Sequence, residues 1–371
     1  MSSKVYMIDL SARSHKENKM AKLQKLFDAV GMGDCIKEKD LTAVKIHFGE
    51  VGSDAFIQPI FVKPIVDKVK EAGGNPFLTD TNTLYAGMRH NAVDHLNTAA
   101  AHGFVPSVVG APVVIADGLR GDNYNNVEIN QKHFKEVKIA GDIERANSMI
   151  VMSHFKGHEM AGFGGAVKNL AMGCAPSLGK KDQHSTRPFV KAKHCVTCGR
   201  CHEICPVEAI SYVDEKAFID QDVCIGCGDC LAVCPTKAVV LNWKTELVDF
   251  MERMTEYALG AVKNKTGRVA YINFLMRVTP DCDCCAWSDA PLVKDIGILA
   301  SDDPVAIDQA CKDLVNAQRP LPETRLTKEH GSDHEYGDVF KAVHPHTLGD
   351  IQLDYGQEIG LGSKDYELIK L

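Results

Sequence analysis

The sequence predicts an α/β fold: a mostly parallel sheet with helices on both faces, interrupted by a small ferredoxin-like α+β insert. Two observations predict it. Short apolar runs alternate with amphipathic stretches on both sides of a cysteine-rich block, and the block itself contains a repeated cysteine pattern. Strands alternating with helices favour parallel strands covered on both faces.

In chain order, "KVYMID", "AVKIHF", "PFLTD", "PVVIAD" and "SMIVMS" have the length and apolar content of strands. Between them, "KENKMAKLQKLFDAV", "IFVKPIVDKVKEAG" and "NAVDHLNTAAAHG" place apolar residues at helical spacing. The pattern breaks at "APSLGKKDQHSTRPFVKAKH", which reads as a polar, basic connection leading into the cysteine block. Beyond the block come a helix in "TELVDFMERMTEYALGAV" and strands in "RVAYINFLMRVT" and "DIGILAS". A further helix opens at "DDPVAIDQACKDLV", with Asp303 placed to cap it and Pro304 at its first position. The economical organisation is one α/β domain in two parts, residues 1–188 and 244–371, around an insert at 189–243. Two independent flanking domains are the alternative.

The 371 residues suffice for a substantial core, and 45% hydrophobic with 25% charged residues is a globular composition. A formal net charge of −7 argues against nucleic acid or an anionic membrane as the main partner. No run has the length of a membrane span, and "MSSKVYMIDLSARSHKENKM" lacks a signal-peptide core. These features place the chain in the cytoplasm, where clustered cysteines indicate metal or redox chemistry rather than disulfides.

Of 14 cysteines, eight lie between Cys195 and Cys234, in "CVTCGRCHEICP" and, 29 residues on, "CIGCGDCLAVCP". Both are C-x2-C-x2-C-x3-C-P, the bacterial ferredoxin run whose fourth cysteine serves the other cluster. Cys195, Cys198, Cys201 and Cys234 are therefore expected to hold one [4Fe–4S] cluster, and Cys224, Cys227, Cys230 and Cys205 a second. Gly199, Gly226 and Gly228 keep side chains clear where backbone N–H groups approach cluster sulfur. A pair of zinc sites is the alternative that the two complete runs disfavour.

Ligands of open α/β sheets bind outside the carboxyl ends of the strands. Polar or reactive residues sit at five such ends: Lys45, His47 and Glu50; Asp80, Asn82 and Thr83; His154, Lys156 and His158; Cys282, Cys284 and Cys285; Asp302 and Asp303. Each has a plainer reading, as an exposed edge, an Asx turn, a core histidine, a buried thiol or a helix cap. Cys282 and Cys284, if extended, point their thiols the same way and are candidates for a third metal or cluster. Gly164 and Gly165 precede a helix "AVKNLAMG", whose N-terminus is a candidate anion site. Lys168 adds a positive charge or an amine there, and His158 is expected to move protons near neutral pH. Neither a Walker A motif nor G-x-G-x-x-G is present, which does not by itself exclude flavin.

"DTNTLYAGMRHNAVDHL", "SHFKGHEMAGFGGAVKNLAMGC", "DIGILASDDPVAID" and "YGQEIGLGSKDYELI" resemble an uncharacterised family of Fe–S-center proteins, domain-of-unknown-function family 362. The resemblance implies one α/β domain with a ferredoxin-type insertion and no established reaction. "GHEMAGFGGAVKNLAMG" is also similar to the H-x3-G-[YF]-x-G-G-x-K segment of lactate racemases. That likeness implies hydrogen exchange by His158, anchoring of a nickel-pincer cofactor by Lys168 and nickel ligation by His184; Arg89 and His90 loosely resemble a second histidine segment.

Three functions follow as expectations. The first is a redox enzyme in which clusters exchange electrons with a small anionic substrate or a metal at the strand ends. His158 or His184 would handle protons, and Lys168 would bind the anion. The basic run Lys180, Lys181, Arg187, Lys191 and Lys193 would dock an acidic ferredoxin, unless it is a solvated linker. The second is a non-catalytic electron carrier or cofactor-assembly scaffold. The third is a racemase-like isomerase with structural clusters.

Overall fold

The computed structural model describes residues 2–84, 87–184, 187–224, 229–241, 247–331 and 336–371. Eight strands form the main sheet: β1 (Ser3–Ile8), β2 (Leu41–Lys45), β3 (Asn75–Asp80), β4 (Val113–Ile115), β5 (Ser148–His154), β6 (Val269–Leu275), β7 (Gly297–Ser301) and β8 (Tyr366–Lys370). Their spatial order is β8-β1-β7-β6-β5-β2-β3-β4. Every neighbouring pair is parallel except the two that β7 makes, with β1 and with β6.

The two-residue period of the strands sorts the core. Val44, Ile150, Met152 and Ile272 face a cluster with α1 (Lys19–Val30) and α2 (Val62–Glu71). Their neighbours Ala43, Met149, Val151 and Tyr271 face the other side, against α4 (Ala166–Cys174), α6 (Leu247–Val262) and α7 (Pro304–Asn316). The helix α3 (Ala92–Ala101) packs beside β4 on the first face. Local signals set the ends. Asn18 and Asn91 accept the first free N–H groups of α1 and α3, and Gly31 ends α1 with φ 74°.

Two elements lie outside the runs read above as strands and helices. One is a hairpin, Tyr124–Glu128 with Glu136–Ala140, whose second strand turns Val137 and Ile139 into the core. The helix α5 (Ser177–His184) lies where the sequence reads as a connection. It seats itself with polar side chains: Lys180 and Gln183 are buried, donating to Thr81, Ala175 and the helix's own backbone.

Residues 188–241 form their own small cluster around Cys201, Ile210, Ile219, Cys224 and Val239. Its repeat is structural as well as sequential: the short helices Arg200–Ile204 and Asp229–Val233 start 29 residues apart, as do the strands Ile210–Val213 and Val239–Leu241. Two antiparallel pairs complete it, 188–190 with 239–241 and 210–213 with 216–219. No helix among the described residues is long and apolar enough to cross a membrane.

The reversal of β7 corrects one expectation. Asp302 and Asp303 follow β7, so they lie at the opposite edge of the sheet from the ends of β2, β3 and β5. Asp303 is a helix cap, accepting Val305 N and Ala306 N at 2.9 Å with one oxygen and Ser3 and Ser363 with the other. Asp303→Ala should cost about 1–2 kcal/mol of stability by urea unfolding. Ligand binding at the far edge should be unchanged.

Candidate functional site

The carboxyl ends of β2, β3 and β5 open into a cavity of about 320 Å³, bordered by α4, α5 and the start of α6. Its floor is a buried charge network. Lys45, the last residue of β2, is fully buried and donates to Asp80 Oδ1 at 2.9 Å and Asn169 Oδ1 at 2.7 Å. β2 is an interior strand, so Lys45 and His47 do not face water as edge residues would. Burial alone would raise the Asp80 pKa; the Lys45 ammonium, His47, His95 and Arg89 outweigh it and hold the carboxyl well below the usual range. Arg89 is anchored by Glu50 Oε2 at 3.2 Å and donates to His47 Nε2 at 3.0 Å. Burial, then the Arg89 charge, keep His47 neutral.

The upper wall is a two-stranded turn, Lys156–His158 paired with Gly162–Gly164. Gly157 packs so close to the 279–280 backbone that a Cβ would lie 2.1 Å from Pro280 O, and its N–H donates to Thr279 O at 2.8 Å. This contact presses His158 against the loop carrying Cys282 and Cys284. His158 Nδ1 accepts the N–H groups of Met160 and Ala161, both at 3.1 Å. Burial, then Lys168 and Lys156, push its pKa well below the ordinary histidine value. His184 falls to about 3 through burial and Lys168, and its ring stacks on Phe250 at 4.8 Å. Both shifts run downward, toward the neutral imidazole.

Three cations face these rings. Lys168 has one polar contact among the described residues, Cys282 Sγ at 4.0 Å. Lys180 spends two donors on Thr81 Oγ1 and Ala175 O, and Arg89 completes the set.

The structure thus brings His158, Lys168, His184 and Cys284 to one cavity, with Cys282 buried behind Cys284. The donor atoms of His158, Cys282 and Cys284 lie within 4.8 Å of one another, a grouping able to hold a metal ion. Other residues find structural roles. The anion expected at Gly164 and Gly165 is supplied internally: the Asp308 carboxylate accepts Ala166 N at 2.7 Å and Val167 N at 2.9 Å. A Cβ on Gly165 would meet that carboxylate at 2.2 Å, so the helix N-terminus has no place for a ligand. His154 is tied to Asp283 Oδ1 at 2.7 Å, and Asn82 binds the Asp117 carboxylate. His90 is exposed. Lys180 leaves the expected docking run because it is buried, while Arg187, Lys191 and Lys193 remain exposed. Sequence reasoning missed the part of Lys180 and Phe250 in the cavity and the role of Asp308. An acidic residue in the helical stretch "PVAID" was the available signal for the last.

In the cysteine module, Cys195, Cys198, Cys201 and Cys234 line one small cavity together. Cys205 Sγ accepts Ala209 N at 3.2 Å, and Cys234 Sγ accepts Ala238 N at the same distance, 29 residues on. Such N–H···S bonds are those that tune cluster sulfurs. Cys224 and Cys230 are buried; Cys227, Gly226 and Gly228 lie outside the described residues. None of the thirteen described cysteines forms a disulfide among the described residues. Cys195, Cys198, Cys201 and Cys234 are grouped as one cubane requires; the second set includes Cys227, outside the described residues. Cys198→Ser should lower anaerobic iron content from about eight to about four per chain, measured by metal analysis with EPR of the reduced protein.

Lys180 gives a pH test. Burial, offset in part by Asp117 and Asp80, lowers its pKa to about 8 from the ordinary 10.5. Between these values the unfolded chain binds the extra proton, so the Lys180 contribution to stability rises with pH there. Its charge in the cavity is lost over the same range. Affinity for a small anion such as oxalate, by calorimetry, should fall as pH rises through about 8. Lys180→Met should abolish that limb.

The sequence profile of the family described as Domain of unknown function (DUF362) matches residues 42–313, and the chain belongs to that family. No curated protein matches it. Among solved structures, the lactate racemase apoprotein from Thermoanaerobacterium thermosaccharolyticum is similar at 12% identity and TM-score 0.36, over 74% of this chain and 51% of that one. A Thermotoga maritima protein from the Northeast Structural Genomics Consortium is similar at 10% identity and TM-score 0.35, over 70% and 50%. The chain spans about half the length of each. Both likenesses are distant.

Proposed function

We propose that this DUF362 member is an iron–sulfur oxidoreductase that exchanges electrons with a small anionic substrate in the cavity at the strand ends. One observation carries the reading: Lys168 turns an ammonium into the cavity, and no carboxylate among the described residues pairs with it. Lys168 is half-buried, and an anionic ligand in the cavity would gain a charge-assisted partner there. The cysteine module is tethered to the same wall at both ends. His184 lines the cavity four residues before Pro188, and Phe250 lines it nine residues after Leu241. Four residues span at most about 14 Å.

Two [4Fe–4S] clusters, on Cys195, Cys198, Cys201 and Cys234 and on Cys224, Cys227, Cys230 and Cys205, would supply one-electron steps when bound. The chain's other residues bind and orient. Lys168 and Lys180 neutralise the substrate's charge. His158, with Nδ1 committed to two backbone donors, offers an Nε2–H to a substrate oxygen. Arg89 and the network beneath it hold the floor fixed. Electrons would enter from a ferredoxin-type protein at the exposed Arg187, Lys191 and Lys193.

The test is to reduce the protein anaerobically, add small carboxylates and oxoanions in turn, and follow recovery of the visible absorbance. One of them should reoxidise the unsubstituted protein. Lys168→Met should slow that step about 10–100-fold at unchanged iron content, the range for losing a charge-assisted hydrogen bond. Reoxidation by none of them, with His158→Gln leaving anion binding intact, would reduce the protein to an electron carrier.

A second reading, a racemase-like isomerase with structural clusters, is favoured by the meeting of His158, Lys168 and His184 in one cavity. Exchange of a substrate α-hydrogen that survives removal of the iron would establish it over the first.

A further inference from the structure

The loop that carries Cys282 and Cys284 is fastened on every side. Pro280 O accepts His344 Nε2 at 2.9 Å, Asp283 O accepts Glu50 N at 3.0 Å, and the Asp283 side chain is held by His154. The sulfurs are fixed with it: Cys282 is buried, and Cys282 Sγ accepts the Cys284 N–H at 3.5 Å. Cys284 forms part of the cavity lining, so the pair is reached from solvent on one side.

With His158 alongside, the group has the spacing of a soft-metal site. The hydrogen bonds assign it otherwise. The lone pair on His158 Nδ1 receives two backbone N–H groups, so the neutral ring carries its proton on Nε2. Neither nitrogen has a lone pair left for a metal, and two sulfurs alone are too few for the four-coordinate sites that zinc takes. What remains is a dithiol with an ammonium, that of Lys168, 4.0 Å from Cys282 Sγ. The Cys284 contact and burial raise the Cys282 thiol well above its ordinary value, and Cys284 is pushed up to about 12; the Lys168 ammonium draws both the other way, toward the thiolate that begins thiol–disulfide chemistry.

We propose that Cys282 and Cys284 form a reversible disulfide that serves as a two-electron store in the cavity. Reduction breaks the S–S bond and takes two electrons and two protons to give two thiols. The electrons come one from each [4Fe–4S] cluster of the cysteine module, and the protons enter from solvent past Cys284. Oxidation by a two-electron acceptor bound in the cavity returns both. The electron source rests on the redox reading above; the thiol pair stands without it.

The test uses the protein purified anaerobically with its clusters and poised in thiol–disulfide buffers across a range of potentials. Samples are acid-quenched, alkylated in denaturant and digested for mass spectrometry. The peptide containing Cys282, Cys284 and the adjacent Cys285 should pass in one two-electron transition from three labels to one, at Cys285, with Cys282 and Cys284 two hydrogens lighter than as unlabelled thiols. Cys282→Ser and Cys284→Ser should each abolish it at unchanged iron content. Alkylation of both thiols at every potential would overturn the inference, as would stoichiometric zinc or copper lost on either substitution. Repeating the titration on Cys198→Ser/Cys227→Ser protein separates the two claims. The transition persists there if the pair is an intrinsic couple, and its loss there would overturn that. In the cluster-loaded protein, reduced clusters that fail to reduce the disulfide would overturn the electron source alone.

Discussion

Asp308 accepts the first two free N–H groups of α4 from within α7, and Asn273 of β6 donates to the same carboxylate at 2.6 Å. A buried carboxylate at that place needs all three donors. Together they fix α4 against the sheet at one angle. Asn169, one turn in, then reaches Lys45 beneath it, while Lys168 is directed toward Cys282. The glycine turn before the helix follows from the same contact, because no side chain fits beside the carboxylate at position 165. The cavity is therefore assembled from three layers of the fold through one anion that never meets solvent.

The floor and the wall of the cavity divide the electrostatic work. Beneath, Lys45, Asp80, Arg89 and Glu50 compensate one another, and their mutual attraction offsets the cost of burial. Above, the imidazoles of His158 and His184 are kept uncharged by burial and by neighbouring ammonium groups. A surface of imidazoles beside the ammonium of Lys168 and the buried cations Lys180 and Arg89 is electropositive on balance. Proton supply in such a site falls to the substrate, to water or to thiols.

Much of this was legible in the sequence. The strand runs, the helix capped at Asp303 and the 29-residue repeat of the cysteine block all carry local signals that the structure follows. Cys195, Cys198, Cys201 and Cys234 could be grouped from spacing alone, because the fourth position of each run belongs to the other set. Strand direction was not legible. "DIGILAS" reads the same in either sense, and only the connections on either side of β7 reverse it, which moves Asp302 and Asp303 to the far edge. Burial sustained by polar contacts was equally silent, as with Lys180 in α5. A lysine among lysines and an aspartate looks solvated until Thr81 and Ala175 are known to face it.

The pairing of β1 has a consequence for how the chain reaches this state. Tyr6 lies opposite Ala300 on one side and Ile369 on the other, so the earliest strand in the chain is matched by two of the latest. During synthesis from the amino end, Val5 and Met7 have no sheet to join while β2 and β3 can already pair with each other. Contacts of such long sequence separation form slowly, and an unmatched strand edge in the interval invites the wrong partner. The sheet can thus begin pairing on its β4 side and is closed on the β8 side last.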